Sequence, residues 1–150
     1  MATHSLQTYS SGYLTKKRIE FENKCRPDRS GCLLWVGGSS STSQIRRLCS
    51  SYPQVKFTEK GSVHTYSAHE VCYFFSTGQV PIRNVIDISH LCHNLRCVRF
   101  THLTREPHNV NMERLTCKRT RYCHGHGDLP SCIFSHRVSL NTSRTTMYPT

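Results

Sequence analysis

The sequence predicts a small α+β domain that cannot depend on a large apolar core alone for its stability. The chain has 150 residues, of which 36% are hydrophobic, below the roughly 45–50% that is usual for globular chains. It also contains 9 cysteines and 10 histidines, and short segments with strand and helix patterns flank the region where these concentrate. A chain of this size with a thin core usually needs metal ions or disulfides.

The predicted sheet lies in the first half of the chain. Residues 54–58 alternate polar and apolar side chains, which is the pattern of a half-buried strand. A turn separates them from a second run at 62–66, and a further run at 44–48 follows the loop GGSSSTS. We predict a small antiparallel sheet of three strands. Its outward face presents Arg46, Lys56 and His64.

Two helices and one further strand are predicted around this sheet. Residues 67–77 begin with Ser67 and carry Glu70 three positions later, which is a capping box, and Gly78 ends the helix. Residues 84–89 have the composition of a strand that leads into the Cys/His region. Residues 106–116 are predicted as a helix, because Glu-Pro suits a first helical turn.

The ends of the chain differ from its centre in composition. Residues 1–24 are polar with a basic run at 16–18, and they are predicted as a flexible basic arm or a short N-terminal helix. Residues 25–132 form the predicted domain. The Ser/Thr-rich residues 133–150 form a weakly structured tail.

The charge balance indicates a polyanionic partner. There are 20 Lys and Arg against 9 Asp and Glu, a net charge of +11, and basic side chains on phosphates release counterions. No stretch approaches the roughly 20 apolar residues that span a bilayer, so no membrane partner is expected. The N-terminus lacks the apolar region of a signal peptide, which predicts an intracellular protein with reduced cysteines.

The first Cys/His cluster is incomplete within its own segment. Cys92, Cys97 and His102 are separated by four residues each, but structural zinc takes four ligands in a tetrahedron. The fourth ligand must come from far upstream. Cys32 is the first choice, and Cys25 is the alternative.

The second cluster supplies four ligands from one short loop. These are Cys117, Cys123, His126 and Cys132, with His124 as an alternative to His126. Four protein ligands without an open position are typical of structural zinc. We therefore predict two structural Zn²⁺ ions, which would add the folding energy that the thin core lacks.

Zinc binding leaves His90 unexplained. It ends a predicted strand, and Asn111 lies 21 residues later on a predicted helix. An imidazole can deprotonate water for attack on phosphorus, and an amide oxygen suits Mg²⁺, which keeps most of its waters. The alternative is an ordinary histidine of the zinc loop and an asparagine on the helix surface.

Residues 89–132 resemble the His-Cys box of homing endonucleases, a branch of the ββα-metal (His-Me finger) nucleases related to HNH enzymes. The similarity is to the zinc-binding-loop region and rests on the pattern SHxCHNxxC, then His, Asn, Arg and Cys, then a Cys-His-Cys loop. Weaker similarity extends upstream through the run C-x-x-W-x-G, which is formed by Cys32, Trp35 and Gly37.

The resemblance implies a ββα-metal nuclease core beside the small sheet, with two structural zinc loops. His90 would be the general base and Asn111 the sole protein ligand of the catalytic Mg²⁺. The sheet would lie in the major groove of double-stranded DNA, with Arg46 and Lys56 as contacts. The family also implies a homodimer, with residues 133–150 as an exchanged arm, and a DNA substrate places the protein in the nucleus.

Two positions depart from the family pattern. Arg99-Phe100 replaces the usual Asn-Pro, and the arginine that grips the scissile phosphate falls near His64, where a neutral imidazole is a poorer partner for developing charge. The leading interpretation is a metal-dependent, site-specific DNA endonuclease. The alternatives are a catalytically weak or domesticated zinc module that binds DNA, and a zinc-containing protein-interaction domain.

Overall fold

The computed structural model describes residues 5–37 and 52–134. The predicted strand at 44–48, the candidate DNA contact Arg46 and residues 135–150 of the predicted tail lie outside the described residues. The three-stranded form of the first sheet is therefore not tested. The hairpin that forms its other two strands is described.

Three helices and six strands form the described part of the chain. The helices are α1 (Ser11–Glu22), α2 (Ala68–Thr77) and α3 (His108–Thr120). The strands are β1 (Cys25–Pro27), β2 (Leu33–Trp35), β3 (Gln54–Glu59), β4 (Ser62–Ser67), β5 (Ile86–His90) and β6 (Leu103–Pro107). Consecutive strands pair into three small antiparallel sheets of two strands each.

The N-terminal segment is ordered against the core. The flexible arm predicted for residues 1–24 is wrong over residues 5–24, and the alternative of a short helix is confirmed by α1. Leu6, Tyr9 and Phe21 are buried in the main hydrophobic cluster, and the Tyr9 ring lies 5.2 Å from that of Phe57. The basic side chains of α1 stay on the surface, where Arg18 pairs with Glu22.

The β3–β4 hairpin confirms the predicted alternation and corrects one residue. Val55 and Phe57 are buried, whereas Lys56 is exposed. His64 is the cross-strand partner of Phe57, and directly opposed residues point to the same face. His64 therefore lies on the face opposite to Lys56, and its placement on the outward face is wrong.

The helix predicted at 67–77 is α2, with Ser67 as its N-cap. The Ser67 hydroxyl makes no capping hydrogen bond, so only half of the predicted capping box forms: Glu70 is hydrogen bonded to the backbone of Ser67. Gly78 ends the helix in the left-handed conformation, with φ of 72°, and its N–H donates to the Phe74 carbonyl at 2.7 Å. Val71 and Phe74 of this helix pack into the core.

The strands β5 and β6 and the helix α3 form a ββα unit. The pairing runs from Ile86 opposite Pro107 to His90 opposite Leu103. The helix predicted to begin at residue 106 instead begins at His108, because Glu106 and Pro107 end the strand. Glu106 is almost completely buried beneath α3. The α+β class and the ββα unit are as predicted.

Candidate metal centres and their surroundings

The first predicted metal site is assembled from two separate parts of the chain. The ligand atoms of Cys32, Cys92, Cys97 and His102 all lie within 4.8 Å of one another. His102 Nδ1 is 3.6 Å from Cys97 Sγ and 3.8 Å from Cys32 Sγ. Tetrahedral zinc, with bonds of about 2.3 Å to sulfur and 2.0 Å to nitrogen, would separate such ligand atoms by about 3.6 Å. The four side chains therefore fit zinc.

Backbone pairing explains why Cys32 supplies the distant ligand. The Asp28 carboxylate accepts hydrogen bonds from the backbone N–H groups of Ser30 and Cys32, which closes a tight turn before β2. The strand β2 then joins the first Cys/His loop, since the N–H of Val98 donates to the carbonyl of Leu33 at 2.6 Å. These contacts place Cys32 beside the other three ligands of the first site.

The alternative ligand Cys25 lies elsewhere. Its thiol donates to the carbonyl of Phe21 at 3.3 Å, and burial raises its pKa to about 11. A thiol in this environment stays protonated and behaves as part of the core. By contrast, the hydrogen bond between Cys92 and Cys97 lowers the pKa of Cys97 and raises that of Cys92, which favours one thiolate of the kind a metal requires.

The second predicted site forms at the end of α3. The ligand atoms of Cys117, Cys123, His126 and Cys132 also lie within 4.8 Å of one another. His126 Nε2 is 3.6 Å from both Cys117 Sγ and Cys132 Sγ, again the spacing of tetrahedral zinc. The alternative residue His124 is exposed and packs against Tyr122, so it does not join this group.

A buried ion pair connects the second site to the ββα unit. Arg114 of α3 is 1% exposed and donates to both carboxylate oxygens of Glu106, each at 2.7 Å. The same guanidinium donates to the Pro130 carbonyl at 2.8 Å and to Cys132 Sγ at 3.4 Å. Such contacts orient the ligands of a metal site. The sequence analysis predicted Glu106 only as part of a helix. It noted Arg114 only as the arginine of the His-Cys box pattern.

Cysteine pairing does not compete with metal binding in the described part of the chain. The eight cysteines there are all free, including the six that belong to the two clusters. The donor sets of three thiols and one imidazole are those of structural zinc sites. The two clusters can thus hold two zinc ions.

His90 ends β5 with its imidazole fixed by the first metal loop. The side chain is 6% exposed, and its Nε2 lies 2.9 Å from the Cys97 carbonyl oxygen. Because a carbonyl only accepts, Nε2 carries the proton and Nδ1 keeps the lone pair. Burial lowers the pKa of His90 to about 4, although the hydrogen bond to Cys97 acts in the opposite direction. The imidazole is therefore neutral near pH 7.

Asn111 lies in the first turns of α3 and is anchored to the same strand. Its amide Nδ2 donates to the Oδ2 atom of Asp87 at 2.7 Å. Within the described residues, no hydrogen bond joins the His90 and Asn111 side chains. They are linked through β5, since the Asp87 carboxylate contacts α3 while the His90 imidazole contacts α2.

Two aromatic residues beside His90 were not predicted as part of the site. The His69 ring of α2 lies 4.5 Å from the His90 ring, and the Tyr52 ring stacks on His90 at 5.8 Å with 10° between the planes. His69 is 3% exposed, its Nδ1 has no hydrogen-bond partner among the residues that the structure describes, and burial lowers its pKa to about 3. The sequence offered only one indication that His69 is buried here, namely its position beside Ala68 on the apolar face of the predicted helix.

The Tyr52 phenol is close enough to the carboxylates of Asp87 and Glu70 to be affected by their charge. Burial, with added effects of Asp87 and Glu70, raises the pKa of Tyr52. The phenol therefore stays protonated and can donate a hydrogen bond. Its 39% exposure leaves it accessible from solvent at the His90 side of the ββα unit.

A basic groove lies on another part of the surface. Lys56 lines a groove of about 300 Å³ together with Lys17 and Lys24 of the N-terminal segment. Lys56 is thus exposed, as predicted for a DNA contact. His64 is on the other face of the hairpin, and Arg46 lies outside the described residues.

Together these features define a small α+β zinc-binding domain built on a ββα unit. Residues 35–144 match the family model described as the zinc-binding loop region of homing endonuclease. Because the match covers most of the chain, the protein belongs to this family. No curated protein matches the chain significantly. In the described part of the chain, no helix has the length and apolar character that crossing a membrane requires.

Proposed function

We propose that the protein is a metal-dependent endonuclease that cuts double-stranded DNA at specific sites. The observation that carries the proposal is the His90 imidazole, held by the Cys97 carbonyl at 2.9 Å within a metal-tied loop of a ββα unit. Membership of the homing-endonuclease family supports the same activity. The zinc ligands serve structure, because each site uses four protein ligands and leaves no position for substrate.

His90 would act as the general base. With its proton on Nε2, the lone pair of Nδ1 can accept a proton from water as that water attacks phosphorus. The hydrogen bond to Cys97 fixes the ring and selects this tautomer. The neighbouring rings of His69 and Tyr52 restrict its rotation further.

Asn111 would hold the catalytic Mg²⁺ through its amide oxygen. A neutral amide suits Mg²⁺, which uses few protein ligands together with water and substrate phosphate. When bound, the ion would stabilise negative charge on the scissile phosphate and the leaving oxygen. Asn111 then contributes the position of the ion relative to His90.

The basic surface would bind the DNA backbone. The net charge of +11 favours polyanions. The groove of Lys17, Lys24 and Lys56 is also lined by Glu20, which pairs with Lys17 at 3.1 Å, so cations outnumber anions there by two. The exposed face of β3 would enter the major groove, with Lys56 and the undescribed Arg46 near base edges. We further propose a homodimer, with residues 133–150 exchanged between the copies, that works in the nucleus.

The second candidate is a module that binds DNA and cuts it poorly or not at all. Its support is His64, which occupies the region where the family uses a phosphate-binding arginine and which faces the side of Phe57. A neutral imidazole is a weaker partner than guanidinium for charge that develops in the transition state. This candidate predicts salt-sensitive DNA binding without nicking.

A nicking assay distinguishes the two candidates. Zinc-loaded protein is incubated with mixed supercoiled plasmid DNA, with and without Mg²⁺. We expect Mg²⁺-dependent nicking that is lost in His90→Ala and in Asn111→Ala. Both variants should still contain two zinc ions, as in the parent. Glu22→Gln, which removes no cation and changes an exposed side chain of α1, serves as a control for a surface change.

The result has clear alternatives. Variants at His90 and Asn111 that nick as fast as the parent would show that the active site is assigned wrongly. Binding of the plasmid without nicking in either Mg²⁺ or Mn²⁺ would favour the binding module.

A further inference from the structure

The Asp87 carboxylate has no role in either metal cluster, yet it organises the side chains at the start of α3. Its Oδ2 atom accepts from Asn111 Nδ2 at 2.7 Å and from His108 Nδ1 at 2.8 Å. The Asp87 side chain is 22% exposed. One carboxylate oxygen therefore receives two hydrogen bonds from the same helix.

The chemistry of the carboxylate fixes the orientation of the Asn111 amide. An ionised carboxylate can only accept hydrogen bonds, so the group facing Asp87 must be the NH₂ of Asn111. The amide oxygen consequently faces away from Asp87. Without this acceptor, rotation about the terminal torsion would exchange the oxygen and nitrogen positions, since that torsion is broad and roughly two-fold. A metal ion binds only the oxygen.

The carboxylate itself is held from two directions. Asp87 is the second residue of β5 and is paired with Glu106 of β6, which fixes its backbone. His108 and Asn111 are three residues apart on α3 and so share one helix face. The backbone N–H of His108 donates to the Val85 carbonyl at 2.9 Å, which ties the start of the helix to the chain before β5.

We propose that Asp87 is a positioning residue that keeps the Asn111 amide oxygen directed toward the divalent metal ion. The inference rests on the proposed function, because that function assigns the ion to Asn111. His108 has a smaller part, since it contacts Asp87 and not the amide. A residue that only joined the hairpin to the helix would affect stability without changing the metal dependence.

The test compares Asp87→Ala with Asp87→Asn. Alanine removes the acceptor, whereas the asparagine side chain keeps a carbonyl oxygen that can accept from Asn111. In Asp87→Ala we expect the Mg²⁺ concentration for half-maximal plasmid nicking to rise about tenfold or more, which is typical for loss of a contact that orients a metal ligand. Asp87→Asn should stay close to the parent. His108→Ala should fall between the two.

A second measurement follows the amide without any metal-dependent reaction. In the zinc-loaded protein, the Asn111 side-chain NH₂ signals are observed by ¹⁵N-edited NMR. One of the two protons should show the downfield shift and slow exchange of a hydrogen bond to a carboxylate. This signature should disappear in Asp87→Ala and persist in part in Asp87→Asn.

The outcomes separate the inference from the function. If the parent nicks DNA and Asn111→Ala does not, but Asp87→Ala keeps the parent Mg²⁺ midpoint and zinc content, the inference is wrong and the function stands. Equal loss in Asp87→Ala and Asp87→Asn would also overturn it, because the acceptor would not be the property that matters. If the parent protein never nicks DNA, both the inference about Asp87 and the proposed function are wrong.

Discussion

Breaking the Glu106–Arg114 pair should cost more stability than any other single ion-pair change in the described residues. In Glu106→Gln the guanidinium of Arg114 stays buried, at 2% side-chain exposure, without a compensating charge. Removal of one partner from a buried pair typically costs about 3–5 kcal/mol. For a chain of this length, about 2–4 °C per kcal/mol corresponds to a fall in Tm of roughly 6–20 °C.

The assay is thermal unfolding followed by circular dichroism at saturating zinc. The matched control is Glu22→Gln, which breaks the pair of Arg18 and Glu22 at 2.8 Å with side chains more than half exposed. That change should cost only about 0.3–0.5 kcal/mol. The double variant Glu106→Leu/Arg114→Met should be more stable than Glu106→Gln, because no unpaired charge remains buried.

Two results would refute this reasoning. A Tm for Glu106→Gln within the change seen for the exposed control would mean that Arg114 is not desolvated as the structure indicates. A double variant less stable than the single one would show that the Arg114 contacts to Pro130 and Cys132, rather than the charge pair, dominate.

Two further pairs of variants test the zinc ligand Cys32 and the ring of His69 beside His90. Cys32→Ser should lower the zinc content from two ions to one per chain, measured by elemental analysis, whereas Cys25→Ser should keep both; loss of zinc in Cys25→Ser alone would reverse the assignment. His69→Ala should lose about 3 kcal/mol in urea unfolding, as for other large buried rings, and should slow nicking because the ring against His90 is gone. His69→Phe keeps a ring there and should nick nearly as fast as the parent; nicking by His69→Ala at the parent rate would contradict the packing role.

The metal ligands could be predicted from the sequence because ligand spacing is a local property. Cys92, Cys97 and His102 lie in one short segment, and the need for four ligands required a further cysteine upstream. The sequence alone does not show which of Cys32 and Cys25 lies near the other three ligands. The structure supplies the reason in the bridge between Leu34 and Cys97.

The predictions that were wrong concern features that tertiary contacts determine. Strand alternation is visible in the sequence, but the face taken by His64 depends on the register set by the turn at Lys60 and Gly61. The helix α1 has few apolar residues, so its pattern is weak, and burial of Phe21 orders it. Glu106 lies in a strand because it pairs with Asp87, which its own neighbours in sequence do not reveal.

Cys97 takes part in two sites, one through its side chain and the other through its backbone. Its sulfur belongs to the first cluster, while its carbonyl oxygen accepts a hydrogen bond from His90 Nε2. Oxidation of that thiol or withdrawal of its zinc would shift the peptide that aligns the imidazole. In the proposed endonuclease, loss of zinc would therefore disturb the general base together with the fold, through a metal that never touches the substrate.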